Sequence, residues 1–144
     1  MKDHGATRAM LFLLVVAAIA ATGCGEALGP DGGPQIVSLS IDPSEISLSD
    51  TGMTDEYFTA TIQVSGFQNA VDVDQADVFV EAGGDTISAE PGTRDIQGDT
   101  ITLGMIAKSW LGGLDAGDYG VGAEVQSSTE KVRELDLATI TITE

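Results

Sequence analysis

The chain has 144 residues, the size of one ordinary domain, and carries 23 Asp and Glu against 6 Lys and Arg. A formal charge of −17 repels phosphate backbones and anionic headgroups, which excludes nucleic acid as a partner. Cys24 is the only cysteine and His4 the only histidine, so no intrachain disulfide can form and imidazole chemistry has a single candidate near the N-terminus.

Lys2 and Arg8 form a basic start, and residues 9–21 (AMLFLLVVAAIAA) are an uncharged run of 13 residues followed by small side chains. This is the layout of a secretory signal peptide, too short to span a bilayer comfortably. Its end, Ala21-Thr22-Gly23-Cys24, resembles the lipobox of bacterial lipoproteins: a small or aliphatic residue, a small residue, Gly or Ala, then Cys. Leu is commoner than Ala in the first place. The resemblance covers the first 24 residues. It implies a diacylglycerol on the Cys24 thiol, cleavage before Cys24 and often acylation of the new amino terminus. Two or three chains give the stable anchoring that one cannot. Cleavage discards Lys2, Asp3, His4 and Arg8, leaving 22 acids and 4 bases. Gly25, where Asp would favour inner-membrane retention, points to the outer membrane or cell surface of a bacterial envelope.

Residues 25–35 hold four Gly and two Pro and read as a flexible tether, reaching roughly 35–40 Å when extended. Three regions are thus expected: a signal peptide over 1–23, a lipidated cysteine and linker over 24–35, and one folded domain over 36–144.

From Ile36 the apolar residues alternate with period two. Val37, Leu39 and Ile41 define a first strand ended by Asp42-Pro43; Ile46 and Leu48 mark a short second one. Phe58, Ala60, Ile62 and Val64 form one face of the next, and Ala76, Val78, Val80 and Ala82 repeat the pattern. Phe67 and Phe79 then fall on outward faces, a hint of a contact surface unless a neighbouring loop buries them. Residues 86–89 read as a short edge strand closed by Glu90-Pro91-Gly92; Ile101, Leu103 and Met105 mark another. Residues 106–112 are the one place for a helical turn. Tyr119, Val121, Ala123 and Val125 alternate with polar and Gly positions. A last strand over 132–143 changes phase between Leu137 and Ile140, which predicts a β-bulge near Ala138. The fold class is all-β, an antiparallel two-sheet sandwich.

Leu114-Asp-Ala-Gly117-Asp-Tyr119-Gly-Val121 resembles the E–F corner of immunoglobulin-like and fibronectin III-like domains. The resemblance implies that the Tyr119 hydroxyl bonds back to upstream backbone, the tyrosine corner, with Gly117 permitting the turn and Leu114 leading into it. With no cysteine pair, and with Trp110 near the E–F connection, the antibody subtype is excluded.

For chemistry, the mature chain has neither histidine nor free thiol, so serine or cysteine triads and histidine zinc sites cannot be assembled. Carboxylate pairs are numerous, but no spacing singles one out. Asp72, Asp74 and Asp77 begin like an EF-hand loop and then depart from it, with Ala76, Asp77 and Gly83 at the fifth, sixth and twelfth places. They are the best Ca²⁺ candidates; a solvated loop is the alternative. Trp110 either caps the core or stacks on sugar. The composite expectation is a non-enzymatic, lipid-anchored module for binding, adhesion or assembly, its partner an envelope protein or glycan and its cofactor none. The alternatives are a calcium-stabilised spacer and a small carboxylate hydrolase.

Overall fold

The computed structural model describes residues 32–144; the expected signal peptide, the expected lipidation site Cys24 and most of the expected tether lie outside the described residues. Among the described residues nine strands form: β1 (Gln35–Asp42), β2 (Glu45–Ser47), β3 (Tyr57–Ser65), β4 (Asp77–Ala82), β5 (Asp85–Ser88), β6 (Pro91–Gln97), β7 (Thr100–Ala107), β8 (Gly117–Gln126) and β9 (Lys131–Thr143). The four-stranded sheet runs β1-β3-β7-β6 and the five-stranded sheet β2-β9-β8-β4-β5. This is the A-B-E-D and G-F-C order of the immunoglobulin fold, with β2 and β5 added at the edges. Every pairing is antiparallel except β2 with β9. The chain crosses between sheets at Asp42-Pro43, a cis peptide.

Period-two alternation drives this arrangement: the inward sets of the two sheets, too apolar to face water, bury each other. Phe58, Ala60 and Ile62 of β3 meet Val78 and Val80 of β4, Val121, Ala123 and Val125 of β8, and Ile101, Leu103 and Ile106 of β7 in one fully buried core. Ile36, Leu39, Ile41, Ile46, Ile140 and Ile142 extend it towards the β1–β9 side.

Four expectations are corrected. Val37 is 59% exposed, because a bulge places Ile36 opposite Val64 and Ser38 opposite Gln63, leaving Val37 unpaired and Ile36 inside. Leu48 is exposed and starts a 3₁₀ turn after β2. Met105 is exposed at φ 54°; the extra residue in β7 sends Ile106 inward in its place. Glu90-Pro91-Gly92 does not simply close β5, since Pro91 opens β6, an edge strand with Ile96 as its one bulky aliphatic. An edge position tolerates Pro at the first residue. In β9 the phase change is a bulge over residues 135–137, between Ala123 facing Glu134 and Val121 facing Ala138, with Asp136 at φ 53°.

The register fixes the molecule's two ends. Gln35 pairs with Ser65, so the chain enters at the end holding the 66–76 loop and the β6–β7 and β8–β9 turns. Gly32 and Gly33 pass directly against Gly66 there. Tyr57 pairs with Ala107 at the opposite end, where the segment between β7 and β8 lies.

Candidate functional site

Trp110 sits in a 3₁₀ turn, Lys108–Leu111, that leaves β7 at the end remote from the tether. Leu111 is fully buried and pins the turn to the core. The indole packs edge-to-face on the buried Phe58 ring at 6.1 Å and 89°, and its Nε1 donates to the Ile87 carbonyl oxygen at 3.1 Å. Lys108 steadies the turn from the other side through ion pairs with Glu56 and Asp50. The Glu56 hydrogen bond holds its ammonium above the ordinary 10.5, against a smaller opposing effect of burial. Trp110 is therefore fixed, half-buried, as a cap on the core.

It also forms a wall of a groove of about 310 Å³, completed by Ile87, Ser88, Glu90, Ala107 and Ser109. These residues come from β5, the β5–β6 crossover, the end of β7 and the turn. The groove thus offers an aromatic surface, two hydroxyls and an exposed carboxylate beside the last strand of the five-stranded sheet.

A second cavity, about 430 Å³, lies at the tether end between Phe67, Gln68, Asn69, Ile96 and Asp99. Phe67 is half-buried against the core. The loop is tied down where Gln68 N donates to Glu130 at 2.9 Å and Asn69 Nδ2 to Thr129 at 2.8 Å.

Phe79 does face outward from β4, yet it is 2% exposed. Arg133 lies over its ring, 3.8 Å from the centroid, and the ring rests on Gly122 of β8. No contact surface remains at Phe79. Arg133 also pairs with Glu81 and Glu124, and Lys131 with Glu124 at 2.7 Å. Burial alone would raise the Glu124 carboxyl, but Lys131 and Arg133 outweigh it and hold it below the ordinary 4.5.

Asp72, Asp74 and Asp77 are not brought together around a shared point. The Asp72 carboxylate accepts from Asp74 N at 3.1 Å, forming the N-cap of a 3₁₀ turn, and Asp77 pairs with Arg94 at 2.9 Å. Arg94 reaches in from β6 and also donates to the Val73 and Ala76 carbonyls, joining the two sheets. Among the described residues no group of three His, Cys, Asp or Glu side chains is placed to hold a metal ion. At the corner, the Tyr119 hydroxyl donates to the Asp115 carbonyl oxygen at 2.9 Å. Gly117 opens β8 at φ 156°, where a side chain is strained, and Leu114 packs on the core. The groove around Trp110 went unread in the sequence, because Glu90 and Ser88 reach it only through the unforeseen β5–β6 crossover.

No protein-family model matches the chain, and no curated protein matches it. Among solved structures it is similar to the N-terminal domain of the Streptococcus gordonii adhesin Sgo0707, with 17% identity and a TM-score of 0.30. That match covers 79% of this chain and 33% of the other. It is also similar to AggA, the major subunit of aggregative adherence fimbriae type I from Escherichia coli, with 12% identity and a TM-score of 0.27. There the cover is 76% of this chain and 94% of the other. The fold of this chain rests on its own strand pairing.

Proposed function

We propose that this chain is a lipid-anchored module of the bacterial cell envelope, outer membrane or cell surface, that binds a partner without catalysis. One observation carries the reading: the tether enters at one end of the sandwich, and the Trp110 groove lies at the other. A chain held by Cys24 would present the groove away from the membrane and keep the second cavity on the membrane side. The sandwich over 32–144 contains no His and no Cys, so histidine- and thiol-dependent catalysis is foreign to it. The indole wall, hydroxyls and carboxylate of the groove are binding groups for an envelope protein or glycan.

Fractionation of cells expressing the intact chain tests the anchor. Wild type is expected in the membrane pellet and in the detergent phase, and Cys24→Ser in the soluble fraction. A Cys24→Ser protein that still partitions with membranes would sink the anchoring half of the proposal.

A further inference from the structure

We infer that the Trp110 groove recognises a primary ammonium group, delivered as a lysine side chain on an extended segment of a partner protein. The inference rests on the proposed binding function and names its chemistry.

Three observations converge on it. An indole face attracts a cation through the ring's negative face, most strongly among the aromatic side chains. Glu90, exposed on the groove's rim, supplies the complementary carboxylate. Among the described residues all four cations, Arg94, Lys108, Lys131 and Arg133, are paired with carboxylates other than Glu90. No protein cation of that set occupies the groove, and the surrounding molecule carries 20 acids against those 4 bases over residues 32–144. Such a field concentrates cations and repels anions at the groove mouth.

The delivery follows from the neighbouring strand. Among the described residues β5 is the terminal strand of its sheet, paired only with β4. An extended segment can lie along its outer side by main-chain hydrogen bonding, with alternate side chains entering an adjacent pocket. Ile87 and Ser88 belong to both β5 and the groove wall, so a lysine on that segment enters beside Trp110. A volume of about 310 Å³ is ample for one lysine side chain with water. Ser88 and Ser109 are acceptors for the ammonium protons left over by Glu90.

The chain's single tryptophan makes the test direct, because its fluorescence reports this groove alone. Intact protein in detergent is titrated with acetyl-Ser-Lys-Ser-amide and, separately, with the same peptide carrying norleucine for lysine. Glucosamine and N-acetylglucosamine form a second pair. The lysine peptide is expected to shift the emission saturably, more weakly at high salt. Glu90→Gln, an exposed substitution that leaves the thermal unfolding of the protein unchanged, should weaken that response about threefold to fivefold. An equal response to norleucine, or an undiminished one in Glu90→Gln, overturns the ammonium assignment. Saturation by glucosamine but not by the lysine peptide overturns the protein segment as its source, and silence from all four probes overturns the inference. The wider binding function is read by co-purification of a partner, so the two fail separately.

Discussion

Tyr119 shows how a single side chain ties a loop to the sandwich. Its ring lies at the start of β8, and its hydroxyl donates to Asp115, four residues upstream. That bond fixes the connection from the Trp110 turn into the sheet. Tyr119→Phe keeps the ring and removes the bond, so the expected cost is about 1 kcal/mol, read from the urea midpoint with an unchanged slope. The corner was legible in the sequence because its signal is local: Gly117, Asp118 and Tyr119 stand next to one another. Phe79 was not, because its burial depends on Arg133, more than fifty residues away, lying over the ring. Period-two alternation placed Phe79 on the outer face correctly, but alternation assigns a face and says nothing about what covers it. Trp110 reads similarly: the sequence supports a cap, while the groove it walls needs Glu90 and Ser88 from across the sandwich.

At the scale of the element, β8 and β9 show why alternation alone mislays some residues. The outward positions of β8 include Gly120 and Gly122, and the bulge of β9 folds close over them. A Cβ on Gly122 would stand 2.5 Å from both the Glu134 carbonyl oxygen and the Phe79 ring. The carbonyl belongs to the ladder and cannot swing aside. Gly122→Ala is therefore expected to cost about 1–3 kcal/mol in denaturant unfolding, with loss of the Phe79–Arg133 stack. A neutral result would show that the bulge yields. The same logic explains the other strands. β3, β4 and β8 are regular, and their apolar spacing reads directly; β1 and β7 each carry an extra residue, which reverses the facing of Val37 and Met105. β6 was missed because an edge strand buries little. Of its seven residues, Ile96 packs on the core and Arg94 turns inward to Asp77, a pattern that no apolar period announces.

For the whole molecule, charge and polarity of placement matter most. With 20 acids against 4 bases over residues 32–144, like-charge repulsion opposes the compact state. Added salt shortens the Debye length from about 30 Å at 0.01 M to about 3 Å at 1 M, so melting temperature is expected to rise steadily across that range. Because Asp72, Asp74 and Asp77 do not converge, millimolar Ca²⁺ should raise it no more than equal Mg²⁺; a Ca²⁺-specific rise reversed by EDTA would instead favour the calcium-stabilised spacer. The sandwich itself is polar in a second sense, with the entry of the chain at Gln35 at one end and the Trp110 groove at the other.

The most direct measurement of that placement compares the two ends in one pull-down from detergent-solubilised envelopes. Intact wild type is set beside Glu90→Lys in the distal groove and Asp99→Lys in the cavity at the Gln35 end. The expected result is a partner that co-purifies with wild type and Asp99→Lys and falls by about tenfold with Glu90→Lys. Equal recovery with Glu90→Lys, or loss with Asp99→Lys alone, would contradict a module that binds through its distal end.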